Sequence, residues 1–101
     1  MPIDEKVKSV IEGTAFLSVI TLNADGTPHP IITGKAEVVG DTVVFGIYKM
    51  ETTQKNLKAD KRAWVVAATL SDGPKGYRLT GDAVIGGEKV VFTPAKAEAL
   101  I

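Results

Sequence analysis

The sequence contains no cysteine and only one histidine, and each scarcity excludes a class of function. Without cysteine the chain cannot form disulfides, hold an iron–sulfur cluster or use a thiol nucleophile, and this fits a reducing compartment. The single imidazole, His29, stands between Pro28 and Pro30, and alone it cannot build a metal site, so we expect a solvent-facing strand residue. No serine occurs in a nucleophile-elbow motif. We therefore predict no catalytic residue and no metal ligand.

An excess of charge of one sign is also absent. Twelve basic residues balance twelve acidic ones, and aromatic residues make up only 6% of the chain. The protein thus has neither a positive field that attracts nucleic acid or an anionic membrane nor many platforms for base stacking. Charged residues also interrupt residues 1–13, so we expect no signal peptide or membrane span there. These features predict a cytoplasmic protein that contacts neither nucleic acid nor membrane.

The composition that is present, 45% hydrophobic and 24% charged over 101 residues, predicts a single globular domain spanning residues 1–101. Its first segment is typical of an amphipathic helix. Pro2 suits a first helical position, and Gly13 suits the end. An apolar stripe recurs at helical spacing, formed by Ile3, Val7, Val10 and Ile11.

From residue 15 onward the pattern changes to that of β-strands. Pro28 and Pro30 cannot donate ladder hydrogen bonds, so the second strand should start at a sheet edge or a bulge. Short turns are predicted at 23–26, 40–41 and 86–87. Since closure removes exposed edges, so many short strands favour a closed or nearly closed antiparallel barrel. The predicted strands span residues 15–22, 28–39, 42–48, 63–70, 77–85 and 88–93, and we assign the tail 95–101 as a strand as well.

A short polar helix is predicted from Thr52 to Asp60, directly after the third strand, with Thr52 or Thr53 as its N-cap. Unpaired N–H groups and the positive end of the dipole at such a start suit a phosphate, and Lys49 lies nearby. The same residues also fit a plain threonine cap followed by a solvated helical face. Both interpretations stay open on these residues alone.

The run from Tyr48 to Val66 (YKMETTQKNLKADKRAWVV), followed by GYRLTGDA at residues 76–83, resembles the pyridoxamine 5′-phosphate oxidase-like FMN-binding split barrels. It is most similar to their small FMN-binding members. The order of elements along nearly the whole chain resembles theirs too. The resemblance implies a mainly β fold, a six- to seven-stranded antiparallel split barrel with an N-terminal helix and a short helix after the third strand.

The resemblance also implies a cofactor, FMN, and a site for it. It assigns the flavin phosphate to the loop and helix start, and the isoalloxazine ring to two flanking strands. A homodimer with the cofactor at the subunit interface is implied as well, in which Trp64, Tyr77 or Arg78 could reach the partner's flavin, although packing is the expected role of Trp64 and Tyr77. The implied phosphate residues are Lys49, Thr52, Thr53 and Asn56, and the implied ring residues are Ile31, Ile32, Thr33, Gly46 and Ile47.

The function implied is that of an FMN-binding flavoprotein, a small flavin oxidoreductase that transfers electrons or hydride to or from a redox partner that the sequence does not identify. The tail lacks the arginine-containing motif that resembles the oxidase's substrate site, so true pyridoxamine 5′-phosphate oxidase activity is not expected. The alternative is a split-barrel ligand-binding or interaction module that has lost FMN affinity, which Glu51 beside the phosphate site favours. An oligonucleotide-binding barrel ranks last.

Overall fold

The computed structural model describes residues 2–71 and 73–101. This part of the chain contains two helices and seven strands. The helices are α1 (Glu5–Gly13) and α2 (Glu51–Ala59). Neither of these helices is long and apolar enough to cross a membrane. The strands are β1 (Leu17–Leu22), β2 (Pro28–Thr33), β3 (Glu37–Val39), β4 (Thr42–Gly46), β5 (Arg62–Thr69), β6 (Lys75–Gly86) and β7 (Lys89–Ala99).

Helix α1 is capped at its N-terminus by Asp4, whose carboxylate accepts a hydrogen bond of 2.9 Å from the Val7 N–H. A side-chain cap of this kind satisfies an amide that would otherwise lack a partner at the helix start. Pro2 therefore precedes the helix, and the prediction that it takes the first helical position is wrong. The predicted apolar stripe is confirmed, because Val7, Val10 and Ile11 are buried.

All seven strands form one antiparallel sheet with the order β2-β1-β5-β6-β7-β4-β3. Strands β2 and β3 lie at opposite ends of this order, yet only residues 34–36 connect them. Such a short connection reaches at most about 15 Å, so the sheet must curl until its two edges face each other. The edges do not pair within the described residues, and the sheet is not closed. The predicted mainly β split barrel is confirmed.

One predicted strand, residues 28–39, is in fact two. Strand β2 pairs only with β1, because Pro28 and Pro30 leave its other side without ladder donors. Beyond Gly34 the chain crosses to the other edge of the sheet, where β3 pairs with β4. Helix α2 consequently follows the fourth strand and not the third.

The β6–β7 hairpin contains both a confirmed prediction and a wrong one. Strand β7 extends to Ala99 and pairs with β6, so the tail is a strand, as predicted. Its turn consists of residues 87–88, not 86–87, because Gly86 still pairs with Lys89. Gly87 alone takes the left-handed conformation that the turn needs, with φ of 63°. A register shift between Thr80 and Gly81 marks a β-bulge, which bends the long hairpin around the core.

The core lies inside the curled sheet. Alternating residues of each strand point inward, as in β1, where Leu17 and Val19 are buried and their neighbours are half-buried. Phe45 on β4 and Phe92 on β7 are the largest fully buried side chains. On α2, by contrast, Leu57 is the only hydrophobic residue that is buried. The position of α2 therefore depends on few apolar contacts.

Candidate functional site

Helix α2 starts from an unusual backbone conformation. Lys49 and Met50 both lie in the left-handed region, with φ of 63° and 56°. Residues other than glycine seldom adopt it, and successive ones do so still less often. Met50 is the N-cap and contributes no side-chain hydrogen bond. The prediction that Thr52 or Thr53 caps the helix is wrong, because the left-handed pair turns the chain directly into a helix that begins at Glu51.

The start of α2 leaves main-chain donors free. The Gln54 N–H donates to the Met50 carbonyl at 2.9 Å and forms the first bond of the helix. The N–H groups of residues 51–53 donate to no acceptor among the described residues. The Gln54 side chain donates to the Lys49 carbonyl at 2.8 Å and so holds the loop against the helix. Free amides and the positive end of the helix dipole together suit an anion.

Two of the predicted phosphate residues lie beside these amides. Thr52 is exposed in the first turn of α2. Lys49 is exposed just before the helix, with its ammonium group 5.7 Å from the centre of the Tyr48 ring. Lys49 takes part in no ion pair among the described residues. Glu51, in the first turn of α2, carries a negative charge that opposes anion binding.

The other two predicted phosphate residues lie on the buried face of α2. Thr53 is 0% exposed, and its hydroxyl has no hydrogen-bond partner among the described residues. Asn56 is 6% exposed, and its amide nitrogen donates to Thr21 Oγ1 and Asn23 Oδ1, both at 3.0 Å. With the helix starting at Glu51, positions 53, 56 and 57 share one face and meet the barrel. In this arrangement Thr53 presents only its main-chain N–H at the helix start.

A shallow groove of about 250 Å³ adjoins the start of α2. The structure brings Ile31, Ile32, Thr33 and Gly46 together there, although β2 and β4 are far apart in the sheet. Ile47 does not line it; its N–H donates to the Glu88 carbonyl at 2.9 Å. The sequence interpretation missed three lining residues, of which Tyr48 and Met50 adjoin the predicted Lys49 and could have been found from it. The lining residues are Ile31, Ile32, Thr33, Gly34, Gly46, Tyr48 and Met50.

Two of the groove-lining residues are glycines. A Cβ atom added at Gly34 or Gly46 would meet no heavy atom within 4 Å, so each glycine keeps open space beside the backbone. Met50 both lines the groove and caps α2, so the groove adjoins the helix start at which the free amides lie. A flat apolar group in the groove and an anion at the helix start fit these residues together.

Acid–base groups are scarce at this site. Tyr48 is the only titratable side chain among the groove-lining residues. His29 lies on β2 opposite Thr21 and is half-buried, which differs from the predicted solvent-facing position because the inner face of β2 packs towards the core. The described residues contain no group of histidine, aspartate and glutamate that could hold a metal ion. The site can bind and orient a ligand but offers no acid–base pair.

A separate ion pair occupies the far end of α2. Arg62 Nη2 lies 2.6 Å from Asp60 Oδ2. Hydrogen bonds from the Arg62 side chain, then from its main-chain N–H, lower the pKa of Asp60 from 3.8 to about 2. Arg62 is thus already paired with a carboxylate and lies at the end of α2 opposite the free amides.

Comparison with known proteins places the fold. No family model matches the sequence, and no curated protein matches it significantly. An FMN-binding protein from Syntrophomonas wolfei subsp. wolfei superposes with a TM-score of 0.82 at 15% identity, covering 96% of this chain and 85% of that one. HupZ from Group A Streptococcus superposes with a TM-score of 0.80 at 14% identity, covering 97% of this chain and 94% of that one. A candidate pyridoxamine 5′-phosphate oxidase from Listeria innocua gives 0.77 at 14% identity, with coverage of 95% and 96%.

These similarities extend over most of each chain, and they agree with the curled sheet and the two helices. The protein therefore has the split-barrel fold of the pyridoxamine 5′-phosphate oxidase-like proteins, a fold that includes FMN-binding members.

Proposed function

We propose that this protein is a homodimeric FMN-binding flavoprotein that transfers electrons or hydride as a small oxidoreductase. The observation that supports this most is that the groove adjoins the free amides at the start of α2, an arrangement that suits a flat ring and a phosphate. The FMN-binding protein of the same fold adds support. A bound flavin would supply the redox chemistry, so the lack of acid–base side chains is no obstacle.

Each part of the site has a role in this proposal. The main-chain N–H groups of residues 51–53, the Thr52 hydroxyl and the Lys49 ammonium group bind the phosphate. Residues 31–33 lie along one side of the ring and Gly46 along the other. Main-chain groups dominate the ring site, because Gly34 and Gly46 leave the backbone open there. Ile47 packs behind the groove and helps to hold Gly46 in place.

The proposed dimer rests on an apolar outer face of the sheet, formed by Ile20, Ile32, Trp64 and Val66. Ile20 pairs with Trp64, while Ser18 lies between Ile32 and Val66 across three neighbouring strands. Ile32 is 68% exposed and also lines the groove. A sheet face that is apolar on its solvent side suits a second copy of the chain. A dimer formed there would place the groove at the contact between subunits.

The second candidate function is a split-barrel ligand-binding or interaction module without FMN affinity. The exposed carboxylate of Glu51 in the first turn of α2 favours it, because its charge repels a phosphate. A cytoplasmic location belongs to both candidates, since a chain without cysteine suits a reducing compartment.

A flavin titration distinguishes the FMN-binding flavoprotein from the module without FMN affinity. The purified protein is expected to show or acquire the visible absorption of bound flavin, and to bind FMN more tightly than riboflavin because only FMN carries the phosphate. Lys49→Gln should weaken FMN about tenfold through the loss of one charged hydrogen bond and leave riboflavin unchanged. Lys58→Gln is the matched control, because Lys58 lies in the last turn of the same helix.

Two results would contradict the proposal. A protein that takes up neither FMN nor riboflavin would favour the binding module. Equal losses of FMN and riboflavin in Lys49→Gln would show that the phosphate lies elsewhere.

A further inference from the structure

We infer that Asn56 is a positioning residue, which holds the start of α2 in register with the groove, and that it does not bind phosphate itself. This inference rests on the proposed function, since it concerns how the two ends of the same site are held together.

The donors of Asn56 are already used. Its amide group has two N–H bonds to donate. One goes to the Thr21 hydroxyl and the other to the Asn23 side-chain oxygen, each at 3.0 Å. The remaining polar atom of the side chain is a carbonyl oxygen, which repels an anion. Asn56 therefore has nothing left to offer a phosphate.

The hydrogen bonds continue from Asn56 into the β1–β2 turn. Asn23 Nδ2 donates to Thr27 Oγ1 at 3.2 Å, and its main-chain N–H donates to the Thr27 carbonyl at 2.9 Å. Thr27 in turn donates to Asp25 Oδ1 from both its hydroxyl and its N–H. Strand β2 begins directly after this turn and carries the groove residues 31–33. A chain of hydrogen bonds thus joins α2, which starts at the proposed phosphate site, to β2, which lies beside the proposed ring site.

Helix α2 needs such an anchor. At nine residues it is too short to be stable alone, and its only buried apolar side chain is Leu57. A satisfied polar pair inside a core specifies one arrangement more sharply than apolar contacts do. Losing it should let the helix shift relative to the groove. FMN, which must reach both ends at once, would then bind less well, whereas riboflavin and free phosphate each need only one end.

The experiment compares three ligands on the full-length protein. FMN and riboflavin are titrated by fluorescence, and inorganic phosphate by the NMR shifts of the backbone amides of residues 51–53. Asn56→Ala and Asn23→Ala should each weaken FMN about tenfold, while riboflavin and phosphate change less than about twofold. The double variant should lose no more than the worse single one, because both break the same link. Thr42→Val is the matched control; it removes a 2.7 Å hydrogen bond from the β3–β4 turn.

Asn23→Ala keeps the inference testable if Asn56→Ala does not fold, since Asn23 lies in a surface turn and is only half-buried. A parallel loss of phosphate and FMN in Asn56→Ala, with Asn23→Ala unaffected, would show a direct contact and overturn the inference. Unchanged FMN affinity in both variants would overturn it too. A wild-type protein without FMN uptake would instead overturn the proposed function, and the inference with it, before any variant is made.

Discussion

The hydroxyl of Thr53 is fully buried without a hydrogen-bond partner among the described residues. Burying an unsatisfied polar group costs about 1–3 kcal/mol. Thr53→Val keeps the side-chain shape and removes that cost, so we expect the free energy of unfolding to rise by about 1 kcal/mol in urea denaturation. Thr52→Val, at an exposed position in the same turn, should leave stability almost unchanged. A clear loss of stability in Thr53→Val would show that the hydroxyl has a partner after all.

The paired left-handed residues Lys49 and Met50 are the most strained part of the site backbone. Each left-handed residue other than glycine costs on the order of 1 kcal/mol. Backbone strain of this kind is often found at binding sites, where the surrounding structure holds it in place. Here it brings the open end of α2 against the groove.

At the scale of elements, the β6–β7 hairpin depends on Gly81. A Cβ atom at this position would lie 2.7 Å from Pro94 Cα and closer still to the Thr93 carbonyl oxygen, so the two backbones could not keep their spacing. Gly81→Ala should therefore lower the free energy of unfolding by more than about 2 kcal/mol. Thermal unfolding followed by circular dichroism measures the effect.

Gly86→Ala is the control for that hairpin, since a Cβ atom at Gly86 in the same strand meets nothing within 4 Å. It should unfold close to the wild-type temperature. Similar behaviour of the two variants would mean that the bulge at Thr80 and Gly81 is not tightly packed.

At the scale of the whole molecule, curling of the sheet creates the site. Strands β2 and β4 stand five places apart in the sheet order, and neither strand forms a groove by itself. The connection through residues 34–36 brings the two sheet edges round, so that Ile32 and Gly46 line one groove. The groove is therefore a property of the barrel and of no single element.

The proposed dimer gives a prediction at this scale. Ile32→Lys places a charge on the outer face and should convert a dimer into a monomer with weakened FMN binding, as measured by sedimentation velocity and flavin titration. Val84→Lys is the control, because Val84 is 52% exposed on β6 but does not belong to the proposed dimer face. A wild-type monomer, or an Ile32→Lys protein that stays dimeric, would rule out this interface.

Patterns local in the chain determined much of the fold. Alternating apolar residues, the turn around Gly26 and the charged-apolar spacing of α1 predicted the strands, the first hairpin and the first helix, because their causes lie within a few residues. The prolines likewise limited the start of β2 to an edge or a bulge, and the strand lies at an edge. The resemblance to split barrels named Ile31, Ile32, Thr33 and Gly46, which the structure brings together in one groove; their contact with a flavin ring stays a prediction.

Only the tertiary structure decided the rest. Residues 28–39 divide because their two halves pair with opposite edges of the sheet, and spacing along the chain does not record which edge each half meets. Thr53 and Asn56 turn inward because α2 starts at Glu51 and presses that face on the barrel. The sequence by itself determined which segments form strands and helices, because those preferences are local. Packing between distant segments decided which side chains are buried. It therefore also decided which residues of α2 face the proposed ligand and which face the barrel.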